Sequence, residues 1–157
     1  MRARAMIVIM AIICLGMVGC ASTPKLNTPS SKPEVTIPNV EKTAVIDAIT
    51  NEMINRGYTV KSVTDYSMVF GKEIDSFGAS WFYGCKHGSP EARINFAIMG
   101  SNQGVRVVID LTVASAPGTR FEKVDQSPST NTLDPEEFQR MLEEMAKILL
   151  NRNEGII

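Results

Sequence analysis

The sequence predicts an α+β fold: a single antiparallel sheet of about four to five strands with two helices packed on one face. Three observations predict it. Residues 45–54 and 138–149 repeat apolar side chains every three or four positions, the period of a helix with one buried stripe. Between them, short segments alternate apolar and polar residues, the period of a strand buried on one face. The order is helix, several strands, helix, and two helices lying on one side of an antiparallel sheet satisfy it. The same element order resembles helix-grip and TATA-box-binding-protein-like small domains, a likeness that carries no activity with it.

Each element has its own signals. Pro38, Asn39 and the following Val40-Glu41 read as a helix start with Asn39 as N-cap. Val45, Ile46, Ala48, Ile49, Met53 and Ile54 form the stripe, and Gly57 ends the helix in the left-handed region. In residues 58–63, Tyr58, Val60 and Ser62 alternate with Thr59, Lys61 and Val63. Thr64-Asp65 is a tight turn into a second strand at 66–70. Residues 79–84, set between glycines, read as a strand. Ile94, Phe96 and Ile98 alternate with Arg93, Asn95 and Ala97, and after the turn Ser101-Asn102-Gln103-Gly104 a second alternation runs over 105–113. These two make the clearest hairpin in the chain. Residues 114–132 are a polar loop with a short strand near 120–124. Asp134-Pro135-Glu136-Glu137 opens the last helix: Asp134 caps, Pro135 suits the first turn, and Glu137 sits where a capping box places it. Phe138, Met141, Leu142, Met145, Ile148 and Leu149 give its apolar face, with Glu143, Glu144 and Lys147 opposite.

The N-terminus has a different character. Arg2 and Arg4 precede the apolar run 5–15, which is shorter than the roughly 20 residues needed to span a bilayer as a helix. Met17-Val18-Gly19-Cys20 follows, after Gly16. This resembles the bacterial lipobox, departing from it in having Met where Leu is usual. The resemblance implies that residues 1–19 are a signal peptide cleaved before Cys20 and that the Cys20 thiol carries diacylglycerol, its freed amine being acylated in many Gram-negative species. It implies a membrane partnership through covalent lipid. With Ala21 next, it implies an outer-membrane location facing the periplasm if the host is Gram-negative. Two or three acyl chains suffice for stable anchoring.

Residues 20–38 are rich in Pro, Ser and Thr and poor in large apolar side chains, a composition suited to a tether reaching up to ~50 Å. Val35-Thr36-Ile37 within it could add a short edge strand. The domain then occupies 39–152 and a tail 153–157. That leaves roughly 115 folded residues, close to a common domain size.

Charge excludes some partners. The 157 residues include 16 basic and 17 acidic side chains. Loss of Arg2 and Arg4 with the leader leaves 14 basic residues against 17, so the chain lacks the basic surface that nucleic acid requires.

Few residues invite chemistry. Cys85 and His87, with Lys86 between them, are the best candidates for a thiol nucleophile and its base, but no third residue orients them. They also make two of the three or four ligands a metal needs, with Asp75 or Glu91 to complete the set. The lipobox resemblance implies that Cys14 leaves with the leader and that Cys20 is lipid-linked, which would make Cys85 the one free thiol of an exported domain. Trp81-Phe82-Tyr83 alternate faces if extended, which turns at least one ring outward as a candidate partner contact. Met53, Met68, Met99, Met141 and Met145 fall on core faces rather than forming a copper site. Asp65 and the pair Glu136-Glu137 read as turn and helix cap. The expectation is therefore no catalytic residue, no metal and no cofactor. The protein expected is a lipid-anchored, non-enzymatic interaction or assembly module with an envelope protein partner. Two alternatives stand beside it: a carrier of a small apolar ligand between the sheet and the helix at 134–151, and a Cys85–His87 thiol enzyme.

Overall fold

In a computed structural model of the chain, residues 26–74, 89–125, 133–153 and 155 are described. Six strands, β1 (Glu34–Ile37), β2 (Thr59–Val63), β3 (Ser67–Glu73), β4 (Glu91–Ser101), β5 (Gly104–Ser115) and β6 (Lys123–Asp125), form one sheet. Two helices, α1 (Lys42–Asn55) and α2 (Pro135–Asn153), lie on one face of it. The strand order is β1-β5-β4-β3-β2, all pairs antiparallel. β5 is long enough to take two partners along one edge: β1 pairs its first half and β6 its last residues. The α+β architecture is as the sequence predicts, with one strand more than the four to five expected.

The central hairpin carries the fold. β4 and β5 join through Asn102-Gln103, with Ser101 opposite Gly104. Gly104 has φ +128°, and a Cβ there would run into the Ile37 carbonyl at the end of β1, so this turn needs glycine on two grounds. Val105, Val107, Ile109, Leu111 and Val113 of β5 point to the helices with Ala92, Ile94, Phe96 and Ile98 of β4. Phe70 meets Phe96 edge-to-face, centroids 5.6 Å apart at 85°, the geometry favoured by the ring quadrupoles.

α1 buries Val45, Ile49 and Met53, one residue per turn. The other half of its expected stripe is less covered, and Ile54 is exposed. Its start also differs from expectation. Asn39 is not the cap: it has φ +55° and its carbonyl accepts a hydrogen bond from the Asn153 side chain, so the helix begins at Lys42 after Glu41. The end is as expected. Gly57 (φ +79°) donates to the Ile54 carbonyl and Tyr58 to Met53, the paired bonds of a Schellman motif. The Lys72 ammonium donates to the Arg56 carbonyl at 2.9 Å, a cation at the negative end of the helix.

α2 starts on Asp134, whose carboxylate accepts the Glu136 amide at 2.9 Å. Phe138, Met141, Leu142, Met145, Ala146 and Leu149 are buried. Two readings change here. Glu137 does not close a capping box, because Arg56 of the neighbouring helix holds its carboxylate at 2.7 Å. Ile148 stands outside the core, 55% exposed, because the face it occupies looks across a groove rather than onto the sheet.

The sheet begins inside the stretch whose composition suggests a tether. The Thr28 carbonyl accepts the Ser31 amide, Pro33 is buried with its carbonyl accepting from Ile109, and β1 follows. Among the described residues no helix is long and apolar enough to cross a membrane.

Candidate functional site

The face of the sheet turned away from the helices carries the alternate residues of β3, β4 and β5. Across it, Gly71 lies beside Arg93 and Thr112, and Val69 beside Asn95 and Asp110. Met99 is on this face and 42% exposed, so it is not a core methionine: β4 places odd-numbered residues outward to its end.

One end of this face holds a charged chain. The Lys61 ammonium lies 2.5 Å from Glu91 Oε1, and Arg93 Nε lies 2.8 Å from Glu91 Oε2. The Arg93 fork then grips Glu122 at 2.6 and 3.0 Å. Glu122 also accepts the Gly118 amide at 2.7 Å, closing the loop between β5 and β6. The route from β2 to β4 passes over β3 at Gly71. A Cβ on Gly71 would occupy the space of the Glu91 carboxylate and the Lys61 chain. Lys61 reaches it because it is the extra residue of a bulge: Val60 faces Phe70 and Ser62 faces Val69, leaving Lys61 unmatched.

The electrostatics follow from this geometry. The Glu91 side chain is 5% exposed. Burial pushes its pKa up, but hydrogen bonds and charge from Lys61 and Arg93 outweigh that and hold it below the ordinary carboxylate value. Glu122 is lowered by the Arg93 hydrogen bond and the Gly118 amide. Two carboxylates saturated by cations make neither a proton-transfer pair nor free metal ligands. Glu91, weighed from sequence alongside Asp75 to complete a metal site with Cys85 and His87, is therefore already engaged. Among the described residues no three His, Cys, Asp or Glu side chains gather as a metal site.

The second feature is a groove of about 380 Å³ between α1 and α2. Ala44 and Ala48 of α1 face Met141, Met145, Ile148 and Leu149 of α2 across it, with Asp47, Glu144 and Arg152 also lining it. The two alanines, one turn apart, leave the space. Arg56 closes one end of the helix pair, 2.6 Å from Glu52 and 2.7 Å from Glu137. Those bonds and charges raise the Arg56 pKa against the effect of its burial, the largest single influence on it. Apolar side chains and polar ones, Asp47, Asn51, Glu52, Asn55, Glu144 and Arg152, share the lining equally, so the groove offers a mixed surface for contact.

Phe70, Phe96, Ile109 and Leu142 are fully buried in the core that the sheet shares with the two helices. The sequence candidates Cys20, Trp81, Phe82, Tyr83, Cys85 and His87, with the strand expected at 79–84, lie outside the described residues. The fold fixes where the segment carrying the last five of these departs: β3 and β4 pair to Glu73 and Glu91, and the Ile74 amide donates to the Pro90 carbonyl. It leaves the sheet at the end where Lys61, Glu91, Arg93 and Glu122 meet.

Neither the charged chain nor the groove was apparent from sequence. Gly71 inside a strand was the one local signal of a close approach. No protein-family model matches the chain, and no curated protein matches it.

Proposed function

We propose that the chain is an envelope lipoprotein, anchored by lipid on Cys20, whose α+β domain is a non-enzymatic interaction or assembly module in the periplasm. The observation that carries the module reading is the groove between α1 and α2. Its apolar floor of Ala44, Ala48, Met141, Met145, Ile148 and Leu149, rimmed by Asp47, Asn51, Glu52, Asn55, Glu144 and Arg152, opens to the outside of the helical layer, where a protein partner can reach Ile148. Arg56 ties helix to helix at one end of the groove, and on the opposite face of the sheet the chain from Lys61 to Glu122 ties β2, β4 and the β5–β6 loop. The anchor reading rests on the leader and on Met17-Val18-Gly19-Cys20.

Two measurements test it together. Intact-mass analysis of membrane-extracted protein should give a chain starting at Cys20 with acyl chains, lost in Cys20→Ala. A photoreactive residue at Ile148, in cells, should yield an adduct with an envelope protein. An unlipidated mass removes the anchor, and a position-148 probe that captures no protein removes the groove as the working surface.

A further inference from the structure

The two edges of the sheet are finished differently. On one, β1 and β6 range along β5, and Gln139 bonds both backbone groups of Glu34. On the other, β2 pairs with β3, and among the described residues no strand lies along its free side. All five residues of β2 are exposed. Such an edge offers backbone donors and acceptors to any strand that can follow it.

The apolar core runs out to this edge uncovered. Val60 and Val63 pair with Phe70 and Met68, so they share the helix-side face with two fully buried residues, yet they are 44% and 48% exposed. The flank of α1 turned away from the groove carries Ile46, Thr50 and Ile54 at one-turn spacing, and Ile54 is 52% exposed. Single exposed apolar side chains need no explanation, but Ile54, Val60 and Val63 lie along one edge. A lysine often guards an open strand. Here the Lys61 ammonium is drawn onto the outer face, 2.5 Å from Glu91.

The bulge decides what fits. Lys61 reaches Glu91 and Ser62 faces Val69, so both stand on the outer face, between Val60 and Val63 on the inner one. In, out, out, in reads the same in both directions. An ordinary strand alternates at every residue and could follow β2 only with a bulge of its own. A second β2, run antiparallel, follows it residue for residue. We infer that two copies of the chain join in this way, about a two-fold axis between Lys61 and Ser62, into one continuous sheet.

Each Val60 then meets the partner's Val63, a β-branched cross-strand pair made twice, and the two α1 flanks face each other above them. Charge agrees with this register. It sets Asp65 opposite the partner's Tyr58, where Lys72 holds its ammonium 5.3 Å from the ring centroid. Lys72 has no carboxylate partner among the described residues, so an Asp65–Lys72 pair closes each end. The groove between α1 and α2 lies on the other flank of α1 and stays open. The pairing needs no lipid on Cys20.

The test uses the full chain in its own host. In a Cys85→Ser background, Val60→Cys on one tagged copy and Val63→Cys on a differently tagged copy should form a disulfide between the tags. Val60→Cys with itself should form little, since like positions stand roughly 10 Å apart in this register, beyond the ~7 Å a disulfide spans. Protein extracted in detergent should sediment as a dimer. Val63→Asp should weaken dimerisation at least roughly tenfold with an unchanged circular-dichroism spectrum, because it buries a carboxylate without a partner. No disulfide between the tags, an equal yield from the like pair, or a dimer indifferent to Val63→Asp would each overturn the pairing. So would a photoreactive residue at Val63 that captures a different protein and no second copy.

Discussion

Gln139 of α2 occupies the outward backbone groups of Glu34 as a neighbouring strand would. Its Oε1 accepts the Glu34 amide at 2.8 Å and its Nε2 donates to the Glu34 carbonyl at 3.1 Å. Glu34 lies in an edge strand, where an unpaired amide and carbonyl are a template for another chain. A single side-chain amide closes that position, and Glu143 holds it in place by accepting from the same Nε2 at 2.8 Å.

Replacing Gln139 by Ala should therefore cost about 1–2 kcal/mol, since two partly buried backbone groups lose their partners. Urea denaturation gives the figure, and light scattering should show faster self-association of the variant. A stability within 0.3 kcal/mol of wild type, with no scattering change, would show that water replaces the amide without loss.

Gly71→Ala should destabilise by about 1–3 kcal/mol, the usual cost of overfilling a packed site. The added methyl group meets both members of the Lys61–Glu91 pair. If those atoms supply the resistance, the effect should shrink in a Lys61→Ala, Glu91→Gln background, which a double-mutant cycle measures. Simple additivity would point to the backbone instead.

Stability should fall on acidification. Glu34 is lowered by hydrogen bonding from Ser30 and, against burial, by Arg106; Glu91 and Glu122 are lowered as described. A carboxylate whose folded pKa lies below its unfolded value contributes stability that is fully present above the unfolded value and is lost as pH falls through the folded one. Denaturation midpoints should thus hold steady from neutral pH to about 5 and decline below about 4.5, the unfolded carboxylate range. Glu91→Gln should shallow that decline; an identical slope in the variant would exclude Glu91 as a contributor.

Two substitutions on α2 should separate core from surface. Leu142→Ala, at a fully buried position, should lose about 2–5 kcal/mol by cavity formation. Ile148→Glu, at a residue 55% exposed, should stay within about 0.5 kcal/mol of wild type. Thermal melts distinguish them, and a large loss from Ile148→Glu would mean that the groove is packed shut in solution.

Much of the fold was legible because its signals are local. The alternations of β4 and β5 set their inward faces, since a one-residue slip would turn every apolar side chain to water. Gly57 and Asp134 end and begin helices through bonds made within a few residues of themselves. Where reading failed, a distant group had intervened. Asn39 looked like a cap until Asn153 took its carbonyl, and Glu137 looked like half of a capping box until Arg56 took its carboxylate.

By itself the sequence determined the two helices and the antiparallel core of the sheet. Those depend on periodicity and on short-range chemistry, which a chain carries wherever it lies. The tertiary structure alone decided that β1 seats beside β5, that Gln139 seals its edge, and that Lys61, Glu91, Arg93 and Glu122 join over Gly71. Those partners are up to 105 residues apart, and no local pattern encodes a contact made only after the sheet has brought its strands together.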